Sequence, residues 1–162
     1  MGLFTNTIFP TAGERTSEGN SNFGGGIIQV QSRYKSDKYA TTSTSYTDVT
    51  DLHVNITTAS STSKVLLFGC LRIGSGIGNS DNKYRFLRGS TQVGDENFCR
   101  LTGSSETFVF TDMIIDNPGS AATHNYKVQI KAETNEVFIN RDGSNRDHGV
   151  CYIICMEVAS WV

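Results

Sequence analysis

Three places in the chain gather residues that could do chemistry. Gly74-Ser75-Gly76-Ile77-Gly78-Asn79 follows an apolar run and has the glycine spacing of a dinucleotide-binding turn. Such a turn needs a helix directly after it, so that the phosphates meet the helix N-terminus. Here Ser80-Asp81-Asn82-Lys83 leads into Tyr84-Arg85-Phe86-Leu87, which alternates like a strand. The segment reads as a glycine loop at one end of a sandwich, with Gly76 and Asn79 as candidate outward recognition positions. The second place, Asn140 to His148, is the most polar stretch of the domain. Its oxygens have calcium-ligand chemistry, but the spacing departs from an EF-hand and arginine supplies half of its charges. Two readings stay open for it, a solvated loop or a recognition surface on which Arg141, Asp142, Arg146 and Asp147 pair with sugar hydroxyls or acidic surfaces.

The third place is the cysteine set Cys70, Cys99, Cys151 and Cys155. Four positions apart on one strand face means roughly 13 Å, so Cys151 and Cys155 cannot bridge each other. That spacing is equally poor for zinc, and the three histidines His53, His124 and His148 are scattered. The thiols therefore read as small buried hydrophobes. No Gly-x-Ser-x-Gly elbow occurs, and no histidine has a neighbouring nucleophile and orienting acid. Asp95 and Glu96 are adjacent, so on a strand they point to opposite faces and make no acid/base pair. The expectation is a non-enzyme without cofactor or metal.

Positioning these groups falls to short strands. Hydrophobic residues are 37% and charged residues 19% of the chain, and 18 Thr, 17 Ser and 16 Gly fill the difference against only 2 Pro. That composition reads as all-β. Strands are predicted over Ile27–Tyr34, Tyr39–Val49, Leu52–Ile56, Ser63–Ile73, Lys83–Leu87, Glu106–Ile115, Asn125–Ala132, Glu136–Asn140 and Val150–Val158. Leu52, Val54 and Ile56 give the cleanest period of two, whereas Ser63–Ile73 is nearly continuously apolar, as a strand covered on both faces would be. Asn117-Pro118-Gly119, Thr134-Asn135 and Asp142-Gly143 supply turn chemistry. Eight or nine strands fit a jelly-roll-like antiparallel β-sandwich.

Residues 1–23 differ from the rest. Leu3, Phe4, Ile8 and Phe9 form an apolar tip, followed by a polar spacer and then by the hinge Gly24, Gly25 and Gly26. This gives an extended docking arm over 1–23, a hinge over 24–26 and the sandwich over 27–162. The first residues show no basic, apolar leader, and Asn6 stands where a myristoylation motif needs Ser or Thr. A net charge of −2 provides no field to gather nucleic acid or an anionic membrane. Tyr152, Ile154 and Met156 form an apolar last strand, and with Trp161, the only tryptophan, they read as a subunit interface.

Gly24-Gly25-Gly26-Ile27-Ile28-Gln29-Val30, the run from Ser43 to Leu52, Ser60 to Leu67, Tyr126 to Gln129, Val137 to Arg141 and Cys155 to Val158 together resemble a domain of virion proteins in tailed phages of aquatic bacteria. The resemblance covers about residues 24–159. It implies a homotrimeric β-sandwich on the virion surface, anchored at one end and facing outward at the other. Its partners would be itself and other virion proteins such as the major capsid protein or the tail. The short arm departs from fibre proteins with a long shaft and points to a capsid decoration protein or a short appendage. The alternative is a tail-fibre-type module recognising a host surface glycan or protein.

Overall fold

The computed structural model describes residues 26–159, and all ten of its elements are strands. Leu3, Phe4, Ile8, Phe9, Gly24, Gly25 and Trp161 lie outside the described residues. The strands are β1 (Ile27–Lys35), β2 (Tyr39–Thr41), β3 (Thr47–Thr57), β4 (Lys64–Ser75), β5 (Ser80–Arg88), β6 (Thr91–Leu101), β7 (Thr107–Asp116), β8 (Thr123–Lys131), β9 (Val137–Ile139) and β10 (Cys151–Val158).

Sheet 1 runs β1-β10-β4, with β7 on the far edge of β4, while the short β9 and β2 extend it beyond the end of β10. Sheet 2 runs β3-β8-β5-β6, and every pairing is antiparallel. Taking the eight long strands in chain order, sheet 1 holds the first, eighth, third and sixth, and sheet 2 the second, seventh, fourth and fifth. That connectivity is the double Greek key of a jelly roll.

Alternation dictates what fills the space between the sheets. Val65, Leu67, Leu71 and Ile73 of β4 face Val54 and Ile56 of β3, Tyr126, Val128 and Ile130 of β8, and Phe86 of β5, all at or close to zero exposure. Gly69 interrupts the inward row of β4, because a Cβ there would overlap the Phe86 ring. The missing side chain is thus what lets the Phe86 ring of sheet 2 reach sheet 1. Cys99, Cys151 and Cys155 are buried and free, and burial pushes their thiols up to about 12, 11 and 12 respectively.

Two sequence expectations change. Tyr39–Val49 does not form one strand, because hydroxyl groups redirect its backbone. The Ser43 amide donates to Thr41 Oγ1 at 3.1 Å, and the Ser45 amide donates to Ser43 Oγ at 3.1 Å. The chain therefore leaves sheet 1 after β2 and enters sheet 2 at β3. Strand β6 is an addition to the predicted strands, hidden because Gly94, at φ 70°, sits beside a register shift that breaks its alternation. By contrast, Gly119 and Asn135, at φ 72° each, adopt the left-handed backbone that their predicted turns require.

Gly69→Ala is expected to lower stability by about 1–3 kcal/mol through overpacking, read as a lower urea midpoint, and Phe86→Leu in that background should recover part of the loss. A thiol reagent should leave Cys99, Cys151 and Cys155 unmodified until denaturant is added.

Candidate functional site

The predicted recognition loops do come together. The amide of Gly143 donates to Ser104 O at 2.7 Å, that of Gly76 to Glu136 O at 2.9 Å, and a Cβ on Gly74 would meet the Arg141 carbonyl. The loops around 76–79, 102–106 and 140–149 thus cluster at one end of the sandwich. Asn79 is there in the left-handed region, at φ 57°. At the other end, Gly26 O accepts a hydrogen bond from the Ala159 amide at 3.0 Å, and loops 58–63 and 117–122 close the sandwich. Along β4, from Lys64 to Ser75, the two ends are roughly 36 Å apart by strand rise.

Within the cluster, Asp142 does not face outward. It is fully buried, and its oxygens accept from the Arg146 amide at 3.0 Å and the Arg146 guanidinium Nε at 2.7 Å, with His148 Nε2 3.2 Å away. Burial opposes its ionisation, but the Arg146 amide, the His148 ring and the Arg146 guanidinium outweigh it and hold the carboxyl well below the usual range. Arg146 also donates to Ser105 O at 3.2 Å. Arg141 lies over the Phe138 ring at 3.7 Å and 3.5 Å from Glu136, and the exposed Asp147 pairs with Lys38 at 3.0 Å. The charged side chains that sequence reasoning offered to a ligand are therefore largely engaged within the protein. Among the described residues, no group of three His, Cys, Asp or Glu is placed to hold a metal ion.

The outer faces of the two sheets differ in kind. On sheet 2, charged and amide side chains pair with one another. Lys127 meets Asp48 at 2.8 Å, Lys83 meets Glu96 at 2.8 Å, and Gln129 accepts from Arg85 at 2.8 Å while donating to Asp48 at 2.7 Å. Tyr46 lies under the Arg85 guanidinium at 3.9 Å and donates to Glu96 at 2.6 Å. On sheet 1 the outward positions fall into apolar rows across four strands. One row, Val30, Met156, Leu66 and Ile115, is apolar across all four strands, and the next carries Ile154, Phe68 and Met113 with Ser32 on β1. Tyr34, Tyr152 and Cys70 follow. Met113, Tyr34 and Ile115 are 70%, 64% and 60% exposed, and Val30 and Tyr152 are also open to solvent.

No protein-family model matches the chain, and no curated protein matches it. Solved structures of similar outline include infectious bursal disease virus VP2 in a subviral particle, 7% identical with a TM-score of 0.45 over 82% of this chain and 42% of that one. Another is a carbohydrate-binding module of Cellvibrio mixtus lichenase 5A in complex with cellotriose, 15% identical with a TM-score of 0.40 over 79% of this chain and 97% of that one. A family two carbohydrate esterase from Cellvibrio japonicus is 11% identical, with a TM-score of 0.30. The chain spans less than half the length of the VP2 chain that it resembles. At these scores the likenesses carry no functional assignment.

Tyr152, Ile154 and Met156, named from the sequence, lie in the middle of the apolar face. Sequence reasoning did not name Val30, Tyr34, Leu66, Phe68, Met113 and Ile115. The signal for the β4 pair was present in the continuous apolar run, which implied a cover on both faces, whereas the described residues cover only the inner one.

Asp142→Asn should lower the melting temperature near neutral pH by removing the pairing with Arg146. Because the folded carboxyl titrates below its unfolded range of about 4, its stabilisation is present above that pH and is lost as pH falls. The difference between wild type and variant should therefore shrink on acidification, as followed by thermal circular dichroism.

Proposed function

We propose that this chain is a non-enzymatic structural protein of a tailed-phage virion, a homotrimer that decorates the capsid or forms a short surface appendage. The single observation that carries the structural part of this reading is the opposed polarity of the two outer faces. A monomer living alone in water has no reason to pair most of the charges on sheet 2 while leaving a largely apolar four-strand face on sheet 1. A subunit built to be buried on one side and solvated on the other does. The virion setting rests on the sequence resemblance over residues 24–159.

The placement of the chain exits supports the anchored geometry. Gly26 stands at the end opposite the loop cluster, so an arm carrying Leu3, Phe4, Ile8 and Phe9 would hold that end against a virion partner while the loops point away. Receptor recognition is the weaker reading on geometry, because Asp142, Arg146, Arg141 and Asp147 already pair within the protein.

Deleting residues 1–23 is expected to leave a folded trimer that no longer joins particles, measured by circular dichroism, native mass spectrometry and the protein content of purified virions. Normal incorporation of the deleted protein would remove the arm from the account. Labelled protein spread in many copies over the capsid shell would support decoration, and labelling confined to the tail would shift the reading to host recognition.

A further inference from the structure

We infer that the outer face of sheet 1 is occupied by a second copy of this chain docked head to tail, the exposed β1–β10 side of one copy packing against a recess beside β7 of the next. This deepens the homotrimer reading and rests on it.

The face holds two different features. One is a group of exposed side chains, Val30, Tyr34 and Tyr152, on β1 and β10. The other is a recess of about 200 Å³ lined by Leu66, Met113, Ile115 and Val158, walled by the exposed β7 side chains. The two sit on one apolar surface, two to three strand spacings apart, about 10–14 Å. A closed three-fold ring needs two distinct patches on each subunit, one given to each neighbour. The β1–β10 group and the recess are such a pair.

Size agrees with this occupant. Four strands at about 4.8 Å and ten residues at about 3.3 Å give a face of roughly 19 by 33 Å, on the order of 600 Å² in projection. That is at the upper limit for an exposed patch on a monomer, about 300–600 Å², and side-chain relief brings it toward the roughly 800 Å² per partner of a stable interface. The chemistry agrees as well, since an aromatic-rich, charge-poor centre is what protein interfaces select. The self-paired charges of sheet 2 offer nothing comparable to the same partner.

The test uses the full chain. Wild type, Met113→Glu and Tyr34→Glu are compared by native mass spectrometry at one concentration, with circular dichroism to confirm folding. Both positions are solvent-exposed in the single chain, so each variant is expected to fold. The expected result is a trimeric wild type, two monomeric variants, and a 1:1 heterodimer when the variants are mixed, because each retains the patch that the other has lost. A trimeric wild type whose two variants remain trimeric overturns this inference and leaves the homotrimer reading standing. A monomeric or dimeric wild type overturns the homotrimer reading itself. As an independent check, Lys127→Glu on sheet 2 should leave the mass unchanged, and loss of the trimer in that variant would move the interface to sheet 2.

Discussion

Strand β4 sits in the middle of sheet 1 with apolar side chains on both of its faces, and one sandwich can cover only one of them. Val65, Leu67, Leu71 and Ile73 go inward against sheet 2, while Leu66, Phe68 and Cys70 are left outside. Neighbouring strands answer on the same side, with Met156 and Ile154 on β10 and Ile115 and Met113 on β7. A strand in this position is ordinary in sheets covered on both sides and unusual at the surface of a lone domain. The polarity of the rest of the molecule follows from it. Solubility is supplied by sheet 2, whose outer side chains satisfy one another, and by loops that close on themselves.

Inside the sandwich, polar groups determine how the sheets meet. The inward positions of β7 include Asp112 and Asp116. Asp112 accepts from the Tyr84 hydroxyl at 2.6 Å and from Asn97 at 3.2 Å, and Asp116 accepts from Tyr126 at 2.6 Å and from Arg88 at 2.8 Å. Each carboxylate lies in sheet 1 and each partner in sheet 2, so a slip of one residue in either sheet would strand a buried charge. Glu157 on β10 instead ties β1 to the β3–β4 connection. It is buried, yet it accepts from the Ala59 amide at 2.6 Å and Gln29 at 2.7 Å; burial opposes its ionisation, but those donors prevail and keep its carboxyl below the usual range. These contacts give the apolar core a single register.

The strand pattern was legible where alternation was clean. Leu52, Val54 and Ile56 announced β3, and the turns at Gly119 and Asn135 were marked by residue types that tolerate their backbone. Legibility failed where local chemistry overrode composition. The run Thr41 to Ser45 looks strand-forming by composition, but the Thr41 and Ser43 hydroxyls capture the Ser43 and Ser45 amides and turn the chain. In β6, Gly94 and the charged pair Asp95 and Glu96 hide a strand whose inward residues are Val93, Cys99 and Leu101. The candidate loops were found as loops, but the destination of Asp142 was not, because a buried carboxylate depends on partners that fold back onto it. The exposed face was half legible. Apolar residues on both sides of β4 are visible in the sequence, whereas their alignment with β7 and β1 depends on register, which only the pairing supplies.

The antiparallel pairing of β1 with β10, continued by the Ala159 amide donating to the Gly26 carbonyl, brings the entry and exit of the sandwich side by side. A domain whose two ends leave together can be spliced into a surface turn of an unrelated protein without prising that host apart, or reopened elsewhere and rejoined at this point.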